Sequence, residues 1–176
     1  MGTFSLNCHP ATPAKSVRGL SVGWAQEDSA LRLTYRVQGA QHLVLPKTQP
    51  AARTDGLWKT TCFEMFLGLS GTAYSEFNFS PSSQWAAYGF HDYRDSAGDW
   101  PMAQAPQVSV ERQGEDVLAH VRLPSVVLEG ARVAGLTAVI EEEGGVLSYW
   151  ALAHGVKPDF HLRSCFTLSI ASAEAP

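Results

Sequence analysis

The stretch Asp55-Gly56-Leu57-Trp58-Lys59-Thr60-Thr61-Cys62-Phe63-Glu64-Met65-Phe66-Leu67 contains a turn, a tryptophan and then a strand with a carboxylate at its centre. Successive side chains of a strand point to opposite faces of the sheet, so Glu64 shares a face with Cys62 and Phe66. Burying an unpaired charge in such an apolar strand costs free energy. Glu64 therefore either faces water or meets a partner on its face of the sheet.

The next strand repeats this pattern in Ala73-Tyr74-Ser75-Glu76-Phe77-Asn78-Phe79. Its two phenylalanines share one face, whereas Tyr74, Glu76 and Asn78 share the other. Two successive strands thus place carboxylates, an amide and aromatic rings on one surface. We expect the functional site on that surface.

Short alternating segments separated by turn residues continue along most of the chain, and no helical periodicity persists over a useful length. Leu20–Trp24 and Leu31–Val37 predict a hairpin, and a further strand is expected at His42–Leu45. Residues 91–106 form the longest irregular stretch, which predicts a loop. The pattern predicts an all-β fold, an antiparallel β-sandwich of jelly-roll or immunoglobulin-like type with roughly ten strands.

The composition indicates one folded domain over residues 1–176, with 45% hydrophobic and 17% charged residues. A net charge of −4 gives no electrostatic basis for binding nucleic acid or an anionic membrane. No apolar run reaches the ~20 residues of a membrane span and the N-terminus lacks signal-peptide features, so we expect a cytoplasmic protein. Cys62 and Cys165 are expected to be buried, reduced thiols. The sequence does not predict an oligomeric state.

A tryptophan six residues ahead of a glutamate in an aromatic strand, here Trp58 and Glu64, resembles the family 9 carbohydrate-binding modules and the wider DOMON-like superfamily of sugar- and haem-binding β-sandwiches. The segments 76–82, 147–154, 158–161 and 165–166 resemble a bacterial single-domain branch of that superfamily. The resemblance implies that Trp58 packs on a pyranose ring and that Glu64 accepts hydrogen bonds from hydroxyl groups. Those modules add a second tryptophan near the C-terminus, where Phe160 is the nearest aromatic residue here.

Sugar recognition needs a flat apolar ring together with planar polar groups for the hydroxyls. The predicted ligand-binding residues are Arg53, Trp58, Glu64, Glu76, Asn78, Tyr88, Trp150 and His154. The leading interpretation is non-catalytic binding of a carbohydrate or related polar small molecule on a concave sheet face, without a cofactor. Alternatively, Trp58 covers the core and Glu64 forms a structural ion pair with Arg53 or Lys59. Tyr149 and Trp150 point to opposite faces, and the sequence does not decide which is in the core.

Other functions remain open at this point. Glu64 and Glu76 could be the acid and base of an enzyme that acts on a sugar conjugate. The domain could bind haem as some DOMON domains do, although alternation places Met65 on the core face. It could also be a protein-interaction domain without a small ligand.

The irregular stretch raises the question of a metal site. Asp92, Asp95 and Asp99 are weak calcium candidates, because hard cations bind clustered oxygen atoms. A solvated acidic loop is the alternative. His154 and His161 with Asp159 match no metal-ligand spacing, and loop hydrogen bonds explain them better.

Overall fold

The computed structural model describes residues 1–170 as an all-β fold of twelve antiparallel strands, with three short 3₁₀ turns at Leu57–Lys59, Ser125–Leu128 and Arg163–Cys165. The strands are β1 (Gly2–Cys8), β2 (Gly19–Gln26), β3 (Ala30–Gln38), β4 (Cys62–Gly68), β5 (Tyr74–Phe79), β6 (Trp85–Asp92), β7 (Asp95–Asp99), β8 (Gln107–Gln113), β9 (Asp116–Pro124), β10 (Val133–Glu142), β11 (Val146–Ala151) and β12 (Leu168–Ser169). The predicted all-β, sandwich-like fold is confirmed.

The strands form one continuous path that folds into two layers. The first layer has the order β8-β9-β3-β2-β1, and the second has the order β7-β6-β5-β4-β10-β11, with β12 paired to β10. Strand β1 belongs to both layers, because Gly2–Leu6 pairs with β2 whereas Asn7 and Cys8 pair with β11. The sandwich is therefore joined through its first strand.

The main core lies between the two layers. Tyr35 of β3 crosses it: its ring centroid is 4.9 Å from that of Phe63, and its hydroxyl donates a hydrogen bond of 2.7 Å to the main-chain oxygen of Glu64. Met65 and Phe77 are completely buried in the same core. The alternation read from the sequence is thus correct, and the side chain of Glu64 lies on the outer face of the second layer.

Three segments differ from the sequence prediction. His42–Leu45 is not a strand, since only Leu43 forms an isolated bridge, with Glu142. The stretch predicted as a loop contains β7, an exposed edge strand whose polar sequence shows no alternation because neither of its faces packs on the core. Strand β1 was also not predicted. The β2–β3 hairpin, by contrast, is present with slightly longer strands.

Cys62 and Cys165 are buried and free, as predicted, and Cys8 is free and half-buried. Across residues 1–170, none of the helical segments has the length and apolar character to span a membrane.

Candidate functional site

A cavity of about 470 Å³ opens on the outer face of the second layer, over β4, β5, β6, β10 and β11. It is lined by Trp58, Glu64, Phe66, Glu76, Tyr88, Phe90, Arg94, Val139, Tyr149, Pro158, Phe160 and His161. The strands supply its floor, while the β6–β7 turn and the loop after β11 supply part of its walls. This is the surface on which the sequence predicted the site.

The strand register places the two carboxyl groups on this face. Glu64 lies opposite Asn78 of β5 and Thr137 of β10, whereas Glu76 lies opposite Phe66 of β4. Glu64 and Glu76 are therefore diagonal neighbours on adjacent strands, a relation that separates positions by roughly 7–8 Å. They are close enough for each charge to affect the other.

Glu64 is almost completely buried, with 2% of its surface exposed. One carboxyl oxygen, Oε2, accepts a hydrogen bond of 3.2 Å from the Thr137 hydroxyl, and within residues 1–170 Oε1 has no hydrogen-bond partner. Burial and then the charge of Glu76 raise the pKa of Glu64 well above its usual range, and the Thr137 hydroxyl only partly opposes this. Glu64 makes no ion pair with Arg53 or Lys59.

Glu76 is slightly better provided with hydrogen-bond donors. Its Oε1 accepts a hydrogen bond of 2.7 Å from Nδ2 of Asn78, while its Oε2 is 3.7 Å from Nε2 of His161. Burial raises the pKa of Glu76, and the Asn78 amide and the charge of Arg94 counteract it. Asn78 itself is completely buried below the cavity. Its role in the structure is thus to position Glu76.

A chain of hydrogen bonds orients His161. The main-chain N–H of Arg94 donates to the Tyr74 hydroxyl at 3.1 Å, and that hydroxyl is 2.8 Å from Nδ1 of His161. We assign the hydroxyl as the donor to Nδ1, a choice that leaves the ring proton on Nε2, facing Glu76. Burial lowers the pKa of His161 to about 4, so the ring is neutral near pH 7.

Aromatic rings form the apolar walls. Trp58 is 43% exposed, and its ring meets that of Tyr88 edge-on at 6.1 Å. It lies in a 3₁₀ turn that follows Gly56, whose positive φ of 76° suits glycine. Tyr88 is fixed by donating a hydrogen bond of 2.7 Å to Oδ1 of Asp55. Trp58 therefore does not cover the core, and the alternative based on that role is wrong.

Besides Asn78, which lies below the cavity, three further predicted ligand-binding residues do not line it. Trp150 is buried in the main core at 5% exposure, because the β11 register turns Tyr149 toward the cavity instead. Arg53 stacks on the Trp85 ring and donates hydrogen bonds to the main-chain oxygens of Ala87 and Trp100, so it fastens the sheet edge.

The third such residue is His154, which places Nε2 2.7 Å from the main-chain oxygen of Asn7 and thereby ties the loop after β11 to β1. The three aspartates proposed as calcium candidates are not brought together as a group either. Within residues 1–170, Asp92, Asp95 and Asp99 belong to no group of three potential metal ligands. Met65 is completely buried in the core, on the face opposite Glu64, as expected.

The sequence interpretation missed several cavity residues, of which Arg94, Tyr149, Phe160 and His161 are the most prominent. Alternation carried a signal for Tyr149, since placing Trp150 in the core puts its neighbour on the cavity face. Arg94 and His161 come from the β6–β7 turn and a loop. Their positions depend on contacts between distant segments, above all on Asp159, which bonds Arg94.

No protein-family model and no curated protein matches this chain. Its fold is similar to that of a Bacteroides uniformis protein proposed to bind carbohydrate, with a TM-score of 0.64 and 14% identity over 94% of this chain and 84% of that chain. A family 9 carbohydrate-binding module from Caldicellulosiruptor kristjanssonii, in complex with glucose, gives a TM-score of 0.43 and 10% identity over 80% of this chain and 69% of its own. The first likeness establishes that the two proteins share a fold, and the second is too distant to support an argument.

Proposed function

We propose that this domain binds a carbohydrate or a related polar small molecule in the cavity, without catalysing a reaction. One observation carries the proposal: a single cavity combines aromatic walls with two carboxyl groups whose hydrogen-bonding capacity is only partly used. Its volume of about 470 Å³ lies within the range typical of small-molecule sites.

The apolar walls suit the C–H face of a sugar ring. Trp58 is the most accessible large ring at the cavity, and Tyr88 supports it from the side. A pyranose stacked on Trp58 would remove apolar surface from water on both partners. Because Tyr88 is itself held by Asp55, this part of the wall is ordered before the ligand arrives.

The polar floor suits the hydroxyl groups. Glu64 and Glu76 both line the cavity, and within residues 1–170 Oε1 of Glu64 and Oε2 of Glu76 have no hydrogen-bond donor at bonding distance, which a sugar hydroxyl can supply. A hydroxyl placed beside Glu76 and His161 could bridge them, by donating to Oε2 of Glu76 and accepting from Nε2 of His161, two atoms that are 3.7 Å apart. A partner of this kind relieves the cost of burying polar groups that lack full hydrogen bonding.

The shared fold is a coarser form of support. Carbohydrate binding is proposed for the Bacteroides uniformis protein. At 14% identity this likeness extends to the fold and leaves the ligand open. The chemistry of the cavity therefore carries the proposal.

A second candidate function is hydrolysis of a sugar conjugate through Glu64 and Glu76. The observation in its favour is that both raised pKa values allow one carboxyl group to stay protonated beside an ionised one. Incubation with chromogenic glycosides separates the two candidates. Turnover that Glu64→Gln abolishes would establish the enzyme, whereas a binding domain gives no turnover at any pH.

A glycan array followed by thermal-shift titration tests the binding proposal, because a ligand at a hundred times its Kd adds about 2.7 kcal/mol of stability. Trp58→Ala should then weaken binding by about 2 kcal/mol or more, roughly thirtyfold in Kd. Since the ring is exposed, the melting temperature should change little. Trp24→Ala, in the other layer, is the control and should leave the Kd unchanged. Unaltered affinity of Trp58→Ala would contradict the proposed contact.

A further inference from the structure

The cavity holds two acidic groups, Glu64 and Glu76, that no cationic side chain of residues 1–170 contacts directly as an ion pair. Arg94 lines the cavity, and its charge lowers the pKa of Glu76, but its guanidinium is paired with the carboxylate of Asp159 at 3.0 Å. His161 is uncharged near neutral pH, since burial lowers its pKa to about 4. Within residues 1–170, neither Glu64 nor Glu76 forms an ion pair with a lysine or arginine.

The remaining titratable groups around the pair supply no positive charge either. These groups come from β3, β4, β5, β6 and β11 and are Tyr35, Cys62, Tyr74, Tyr88 and Tyr149. They are phenols and a thiol, which are neutral or anionic but never cationic. Beyond Tyr88 lies the carboxylate of Asp55, which adds a further negative charge at that side.

The geometry presents this acidic pair to a ligand. Glu64 and Glu76 lie on adjacent strands and line the same cavity, and each has one carboxyl oxygen without a hydrogen bond within residues 1–170. An ammonium group carries one positive charge and three N–H donors, so a single group can serve both carboxyls. The surrounding aromatic rings add favourable cation–π attraction. A neutral hydroxyl supplies only one donor and no charge.

We infer that the ligand is an amino sugar, a hexose with a protonated amino group that lies between Glu64 and Glu76. This inference rests on the proposed function and narrows it to one substrate class. The sugar ring stacks on Trp58, and the ammonium forms the direct ion pair that Glu64 and Glu76 lack within residues 1–170.

Proton release should accompany binding. In the free protein burial raises the pKa values of both carboxyl groups, and the charge of Glu76 raises that of Glu64 further, so the pair holds a proton more readily than exposed glutamates do. A bound ammonium favours the ionised form and expels that proton. Affinity should therefore rise with pH until the amine of the sugar loses its own proton.

Isothermal titration calorimetry with the full chain tests the inference. Glucosamine and 6-amino-6-deoxyglucose are compared with glucose and N-acetylglucosamine near neutral pH, in two buffers of different ionisation enthalpy. At least one amino sugar should bind tenfold or more tightly than the neutral sugars, with proton release. Equal or tighter binding of a neutral sugar overturns the inference but keeps the proposed function, whereas no binding by any sugar, the glycan array included, overturns both.

A variant that removes one carboxylate charge tests whether the acidic pair causes the preference for amino sugars over neutral sugars. Glu64→Gln keeps the shape of the side chain, and it should lose most of the tenfold preference and most of the proton release. Glu76→Gln serves as the second variant should the first fail to fold. Glu111→Gln makes the same chemical change on β8 of the other layer, where Glu111 is exposed. This control variant should keep both the tenfold preference for the amino sugar and the proton release. An amino-sugar preference that survives both cavity variants would overturn the assigned role of the pair.

Discussion

Glu142 and Glu64 are both buried carboxyl groups of the second layer, yet their surroundings differ completely. Glu142, at the end of β10, accepts hydrogen bonds from the main-chain N–H groups of Lys15, Ser16 and Val17 at 2.7, 2.7 and 3.2 Å, and from the Ser16 hydroxyl. Glu64 receives one hydrogen bond, from Thr137. Glu142 is therefore saturated, in the sense that both of its oxygens accept hydrogen bonds, whereas Glu64 is unsaturated, with a bond to only one oxygen.

The number of donors decides the role of each group. Burial alone would raise the pKa of Glu142, but the Ser16 hydroxyl and the three N–H groups together lower it below its usual value. For Glu64 the single hydrogen bond from the Thr137 hydroxyl does not offset burial and the charge of Glu76, so the pKa stays raised. A saturated carboxylate fastens the loop at residues 15–17 to the sheet. An unsaturated one, facing a cavity, is available to a ligand.

Removing the saturated carboxylate should have the largest effect. Glu142→Gln turns an amide N–H₂ toward main-chain donors and deletes the charge that they stabilise, so we expect a loss of about 3 kcal/mol or more in the free energy of unfolding. Urea denaturation measures it. Glu143→Gln is the matched control, because its ion pair with His42 is exposed and should contribute less than about 1 kcal/mol. A loss below 1 kcal/mol for Glu142→Gln would show that other contacts hold the loop.

The same substitution at Glu64 should act in the opposite direction. A carboxyl group whose pKa is raised on folding favours the folded state below its ordinary value of 4.5 and loses that contribution as pH rises through the folded pKa. Glutamine does not titrate. Near pH 7–8, Glu64→Gln should therefore be more stable than the parent by about 1 kcal/mol or more, since one pKa unit corresponds to 1.36 kcal/mol.

Melting temperatures at pH 4 and pH 8 measure this difference, which should nearly vanish at pH 4, where the parent carboxyl group is also neutral. Glu142 shows the reverse dependence: its lowered pKa supports the folded state above 4.5, and this support is lost as the pH falls through the folded pKa. A Glu64→Gln protein less stable than its parent at pH 8 would mean that Glu64 is charged and well compensated in the fold.

The sequence predicted the face of Glu64 but not the contrast with Glu142. Alternation in β4 and β5 is a local property, so it correctly assigned Glu64 and Glu76 to one surface and Met65 and Phe77 to the core. The same local rule supported the all-β fold. Predictions based on period two were reliable where one face of a strand packs on the core.

Long-range contacts were not predictable in this way. The donors of Glu142 are more than 120 residues away in the chain, and nothing in Glu-Glu-Glu at 141–143 distinguishes the buried residue from its exposed neighbour. The same dependence on long-range contacts explains why the sequence did not predict the cavity walls. His161 and Arg94 reach the site from loops, and Arg53 was assigned to the ligand although main-chain oxygens of the sheet edge hold it.

The surroundings of Glu76 are intermediate between those of Glu64 and Glu142. The variant that tests them, Tyr74→Phe, has the smallest expected effect. One of its oxygens is bonded to Asn78, and the other faces Nε2 of His161 at 3.7 Å. Tyr74 holds that ring in place through the bond from its hydroxyl to Nδ1. Tyr74→Phe deletes this bond and the acceptor for Arg94, so it should cost about 1 kcal/mol of stability.

For this variant, the loss in the free energy of unfolding should be compared with the loss in affinity for the ligand. If His161 contributes to binding, Tyr74→Phe should also weaken the Kd for the best sugar of the array several-fold, because the ring is no longer held at its position. Tyr35→Phe also deletes a buried hydroxyl, one that bonds the main-chain oxygen of Glu64 from the core side. It should cost a similar free energy of unfolding, about 1 kcal/mol, and leave the Kd unchanged. Equal effects of the two variants on the Kd would show that Tyr74 supports only the fold, and His161 would then not belong among the ligand contacts.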